Sequence, residues 1–139
     1  MKKVLIICTG NSCRSIMAEA LINHYLNAQW QAYSAGTHPS QPHPLALRAL
    51  HELGIDTGYL KSESISEYWH REDLDLIITV CDNARKNCPA FYKPVKQLHI
   101  SFPDPVNYRA HTDEAAMSGF RKVRDTIIET LLPVLKEYV

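Results

Sequence analysis

Two apolar runs constrain this chain most, Val4-Leu5-Ile6-Ile7 near its start and Leu74 to Val80 near its middle, and each ends in a cysteine, Cys8 and Cys81. A run almost free of polar residues is what a strand needs when helices cover both its faces, so the second run in particular belongs inside a parallel sheet. Gln31 to Ala35 and Val95 to Ile100 read as two further strands, the first closed by Ala35-Gly36 and the second by Phe102-Pro103-Asp104-Pro105. Between them lie helical patterns. Ile16, Met17, Ala20, Leu21 and Tyr25 repeat with a period near that of a helix, leaving Glu19 and His24 off the apolar stripe. Pro44 starts a second helix that Gly54 stops, Ser64 to His70 reads as a short helix with Tyr68 and Trp69 as core anchors, and Thr112-Asp113 is expected to cap a last helix reaching Tyr138. Phe120, Val123, Ile127, Leu131 and Leu135 form the apolar stripe of that last helix, and Pro133 is expected to bend or interrupt it. Alternating strands and helices predict an α/β fold, an open four-stranded parallel sheet flanked by helices, with residues 1–139 forming a single domain.

Ligands in such sheets bind at the carboxyl ends of strands, where Cys8, Cys81 and Asp104 all fall. The segment Cys8-Thr9-Gly10-Asn11-Ser12-Cys13-Arg14-Ser15 leads from the first strand into the first helix. Successive backbone N–H groups at a helix N-terminus form a nest for an oxyanion, and Arg14 adds a planar fork of donors. Thr9 to Ser15 are therefore the expected oxyanion-binding residues, with Gly10 at the tightest point of the turn. Cys8 sits at the rim of the nest, whose field is expected to favour thiolate, with Ser15 donating to the sulfur. The alternative reading is an ordinary βα turn with a buried cysteine and a surface arginine. Asp104 admits two readings, a turn residue before Pro105 and a general acid within reach of the loop, and the second is favoured.

Cysteine spacing narrows the chemistry. Cys8 and Cys13 are separated by four residues and Cys81 and Cys88 by six, neither matching the paired spacing of structural zinc sites. Cys81 alone reads as a small buried hydrophobe, but Cys88 lies in a polar loop before Pro89. A second exposed thiol near a nucleophilic one points to a thiol relay. His38, His43 and His51 fit no metal template and are expected at the surface. Formal net charge is zero with basic residues scattered, which argues against nucleic acid and anionic membrane as partners. The apolar run after Met1-Lys2-Lys3 is too short for a signal peptide, so a cytoplasmic location is expected.

Taken together, Cys8 to Ser15, Ser34-Ala35-Gly36, Val80-Cys81-Asp82 with Cys88-Pro89, and Asp104-Pro105 resemble the thioredoxin-coupled type of arsenate reductase built on the low-molecular-weight protein tyrosine phosphatase fold. The phosphatases share the opening loop but have no need of Cys81 and Cys88, and they usually place aromatic residues directly after the Asp-Pro pair, where Val106 and Asn107 stand here before Tyr108. The resemblance implies that Cys8 attacks arsenic with Arg14 holding the oxyanion and Asp104 assisting. A Cys8–Cys81 disulfide then releases arsenite, and Cys88 resolves it as a Cys81–Cys88 disulfide. Thioredoxin, or glutaredoxin with glutathione, would reduce that disulfide, and no organic cofactor or metal would be required. Some relatives hold a structural potassium through residues matching Asn11, Glu19, Ser34 and an acidic position that is Glu63 here, whereas Asn11 and Ser34 read by default as residues that order the loop. Three classes of function follow in order of preference: a thiol-relay oxidoreductase, a cysteine phosphatase, and an oxyanion-binding module without catalysis.

Overall fold

The computed structural model describes residues 1–82, 84, 94–106 and 109–138. Its sheet has four parallel strands, β1 (Lys2–Cys8), β2 (Trp30–Gly36), β3 (Leu76–Thr79) and β4 (Lys96–His99), in the order β2-β1-β3-β4. The order explains the composition of the strands. β1 and β3 are neighbours in the middle, and every residue from Val4 to Cys8 and from Leu76 to Thr79 is buried, whereas β4 on the edge is exposed or half-buried. The chain leaves β1 for β2 on one side and later returns to β3 on the other, so the topological switch lies between the carboxyl ends of β1 and β3. Cys8 closes the first and Cys81 follows the second.

Among the described residues, three helices are delimited and flank the sheet: α1 (Arg14–Tyr25), α2 (Pro44–His51) and α3 (Asp113–Lys136). They pack on one another in pairs, and α1 also lies along β1 and β2. The expected stripe of α3 is buried in full from Phe120 to Leu135, and each such side chain contributes about 1.5–3 kcal/mol relative to exposure. Thr112 caps α3 by accepting from the Ala115 N–H. Pro133 does not interrupt α3, because it lies on the exposed side in the last turn, where the ring costs little more than one helical hydrogen bond.

Other expectations shift in detail. The Ser64 to His70 segment is a single 3-10 turn, Ile65–Glu67, with Tyr68 buried and Trp69 half-buried against the core. Tyr25 is exposed at the end of α1 rather than part of its stripe. Glu19, expected off the stripe, is buried. The reason is that Ser15 through Ile22 are all buried, so this helix is enclosed on every side and its apolar period no longer marks its interior face.

Candidate active site

The loop from Cys8 to Arg14 is built from the outside. The carbonyls of Cys8, Thr9, Gly10 and Ser12 accept from the N–H groups of Thr37, His38, Ser40 and His43 at 2.8–3.2 Å, and the Asn11 carbonyl accepts from Ser62 Oγ at 2.5 Å. Thr37 and His38 directly precede Pro39, and Ser40 and His43 stand among Pro39, Pro42 and Pro44, so this proline-rich segment is the main outer scaffold of the loop. Because each peptide is planar and trans, carbonyls turned outward leave the N–H groups of the same peptides turned inward. They face a cavity of about 310 Å³ lined by Cys8, Gly10, Ser12, Cys13, Arg14, His43, Asp104 and Val106. α1 begins at this cavity with no acidic residue in its first turn, so nothing of its own neutralises the positive end of the helix.

The left-handed residue of the loop is Asn11, at φ 47°, and not Gly10, where a Cβ would make only ordinary contacts. Asn11 tolerates that conformation because its side chain is held at both ends, Nδ2 donating to Ser15 Oγ at 2.8 Å and Oδ1 accepting from the Glu63 N–H at 2.8 Å. Ser15 Oγ is thus an acceptor for Asn11, a bond that leaves open the donation to the Cys8 sulfur expected of its hydroxyl. Glycine is needed instead at Gly36, where a Cβ would stand 2.5 Å from the Thr9 carbonyl oxygen and 3.0 Å from the Asn11 nitrogen. Gly36→Ala is expected to push the loop outward and lower stability by roughly 1–3 kcal/mol, read as a lower urea midpoint at unchanged slope.

Arg14 is oriented by its Nη1, which donates to the Phe102 carbonyl at 3.1 Å, while its Nε is buried without a hydrogen-bond partner in the described structure. A buried guanidinium nitrogen of this kind, beside the inward N–H groups, is a donor for an oxyanion oxygen. Asp104 lines the same cavity, exposed, with Oδ1 accepting from the Val106 N–H at 3.0 Å. The turn reading is thus met, and it sets the Asp104 carboxyl at the cavity, where the general-acid reading requires it.

Cys8 and Cys81 are both buried, and their sulfurs lie close enough for each to shift the other's titration. Burial pushes the Cys8 thiol up to about 12, opposing the pull of Arg14 expected to favour the thiolate. Burial also works upward on Cys81, but the Thr9 hydroxyl at 3.3 Å, the Ala84 N–H at 3.4 Å, the Cys8 thiol and Arg14 together hold it below the ordinary thiol value. The two sulfurs titrate as a coupled pair rather than as independent thiols. Burial likewise raises Cys13, at the N-terminus of α1, to about 11. Cys88 falls outside the described residues.

The four residues matched to a potassium site, Asn11, Glu19, Ser34 and Glu63, bond within their own network. Ser34 Oγ donates to Glu19 Oε1 at 2.5 Å, the Tyr68 hydroxyl donates to Glu63 Oε1 at 2.8 Å, and Asn11 Oδ1 takes the Glu63 N–H. Protein donors meet an oxygen of each acceptor, which does not fit a dedicated cation cage, and among the described residues no cluster of His, Cys, Asp or Glu side chains suits a metal ion. Burial raises Glu19 to about 7, with Glu63 adding to the shift. Between pH 4.5 and about 7 the folded chain therefore holds a proton that the unfolded chain has lost, and stability falls as pH rises through that window. Glu19→Gln keeps the acceptor for Ser34, and is expected to remove this loss and raise stability at pH 8 by about 2 kcal/mol, with little change at pH 5, in paired urea titrations.

Of the histidines, His38 and His51 are exposed as expected, but His43 is half-buried, caps α2 by accepting from the Leu45 N–H at 3.1 Å and lines the cavity. Only its place directly before Pro44 hinted at a capping role.

A parallel sheet with a cysteine–arginine anion loop at the end of its first strand defines a phosphatase-like α/β protein. The low molecular weight phosphotyrosine protein phosphatase family matches residues 3–138, and the chain belongs to that family. Within it, the chain is 39% identical over 126 residues to the arsenate reductase of Halalkalibacterium halodurans, covering 91% of this chain and 89% of that protein. It is 38% identical over 126 residues to the arsenate reductase of Bacillus subtilis, with the same coverages of 91% and 89%. A solved arsenate reductase in its phosphate-binding state superposes with a TM-score of 0.75 at 28% identity, covering 100% of both chains. A low molecular weight protein tyrosine phosphatase from T. tengcongensis gives 0.68 at 25% identity, covering 93% of this chain and 99% of that one. No helix among the described residues is long and apolar enough to cross a membrane.

Proposed function

We propose that the protein reduces arsenate to arsenite in the cytoplasm by a cysteine relay. The observation that carries this reading is the pair of buried, interacting thiols Cys8 and Cys81 at the anion loop, because hydrolysis through a phosphocysteine needs one thiol and reduction needs a second within reach of the first. Arsenate seats on the inward N–H groups with Arg14 on its oxygens. Cys8 loses its proton and its sulfur attacks arsenic, while protonated Asp104 gives a proton to the departing hydroxide, which leaves as water. Cys81 then attacks the Cys8 sulfur. The sulfur–sulfur bond forms as the sulfur–arsenic bond breaks, the electron pair stays on arsenic, and arsenite departs. Cys88 attacks Cys81, returns Cys8 to its thiolate, and leaves a Cys81–Cys88 disulfide for an external dithiol, thioredoxin or glutaredoxin with glutathione. None of these steps draws on a metal or organic cofactor.

The test is arsenate-dependent turnover measured separately with the thioredoxin and the glutaredoxin–glutathione systems, beside hydrolysis of a phosphotyrosine mimic. Arsenite formation with at least one system supports the proposal. Fast hydrolysis of the mimic with no arsenite would establish the phosphatase instead, the reading favoured by the family as a whole.

A further inference from the structure

Thr79 and His99 are paired in register across β3 and β4, and the imidazole spans from Thr79 Oγ1, 2.7 Å from Nδ1, to Asp82 Oδ1, 2.9 Å from Nε2. A carboxylate only accepts, so Nε2 carries a hydrogen in either charge state, and the Thr79 hydroxyl donates to a neutral Nδ1 or accepts from a protonated one. Asp82 is the residue after Cys81. On the other side of Cys81, Val80 is fixed by β-type bonds, its N–H to the Ile7 carbonyl at 3.0 Å and its carbonyl to the Phe102 N–H at 3.1 Å. Cys81 is thus bracketed, by the sheet before it and by His99 after it.

We propose that His99 is a positioning residue for the Cys81 thiol: through Asp82 it fixes the first turn after β3, so that Cys81 Sγ stays against Cys8 and in line for attack on it. The inference rests on reading Cys81 as the second thiol of the relay. The anchor on Asp82 sets a direction of approach and touches neither substrate nor sulfur. Its loss therefore slows disulfide closure without weakening the anion seat.

The experiment uses Cys88→Ser as the background, so that Cys88 cannot compete for Cys81. His99→Ala, Asp82→Ala, the double variant and His99→Gln are each treated with diamide, and the Cys8–Cys81 disulfide is followed by peptide mass mapping beside single-turnover arsenite release. Each single alanine variant should close the disulfide about tenfold more slowly, the double no more slowly than either, and His99→Gln, which restores a donor near the Nε2 position, should recover most of the rate. The arsenate concentration giving half-maximal single-turnover rate should not move. Wild-type closure in His99→Ala, or losses that multiply to about a hundredfold in the double variant, would overturn the proposal. Asp82 is exposed, so its variant tests the anchor even where His99→Ala folds poorly. Diamide closure needs no arsenate, and a wild type that closes the disulfide normally yet makes no arsenite would overturn the relay function while leaving the anchor standing.

Discussion

Cys8→Ser is expected to abolish both arsenate reduction and any hydrolysis of phosphomonoesters, by at least about a thousandfold, while oxyanion binding changes by less than about threefold. The two halves of the expectation come from different parts of the site. Binding belongs to the backbone, since the outward carbonyls of Cys8 to Ser12 are held by the 37–43 segment and by Ser62, and to the partnerless Nε of Arg14. None of these depends on the sulfur. Chemistry belongs to the sulfur, because burial already holds the Cys8 proton firmly, and a hydroxyl in the same buried place would be harder still to ionise and is a weaker nucleophile. Steady-state turnover with each reductant, together with calorimetric titration of phosphate, reads the two halves separately. Turnover by the serine variant within tenfold of wild type would remove Cys8 from the role of nucleophile.

The positions of the two sulfurs were legible in the sequence because strand periodicity is local. Each apolar run ends in its cysteine, and any parallel sheet that places the two runs side by side brings Cys8 and Cys81 together. What was not legible depends on contacts between distant segments. Glu19 lies off the stripe by helical spacing, yet α1 packs on β2 so closely that Ser34 hydrogen-bonds its carboxyl in the interior. Gly10 looked like the residue the turn requires, but the close backbone approach is made by Gly36 in β2, in register with Cys8. The anchor on Asp82 needs the β3–β4 register, which no pattern in either strand discloses. The burial of Cys8 is hidden for a related reason: the motif reveals the arginine and the helix end that favour a thiolate, but not the depth of burial that opposes them.

The relay and the plain phosphatase separate most sharply at Cys81, and Cys81→Ser is expected to stop arsenite release altogether while leaving hydrolysis of a phosphotyrosine mimic intact. Reduction requires a second sulfur to take the Cys8 sulfur as arsenic leaves with the electron pair, and Cys81 is the buried thiol that interacts with Cys8. Its pKa is held down against burial by Thr9, Ala84 and Cys8, which favours the thiolate that the attack requires. Serine keeps the hydrogen-bonding but not the chemistry. Cys88→Ser should behave differently, releasing one arsenite per enzyme and then stalling as a Cys8–Cys81 disulfide that peptide mapping detects. Hydrolysis through a phosphocysteine needs neither residue, so both variants should retain it when kept reduced. A Cys88→Ser enzyme that turns over arsenate continuously with its native reductant would show that an external thiol attacks Cys81 or Cys8 directly. In that case the relay ends at two cysteines, and Cys81 is itself the point of contact with the reductant.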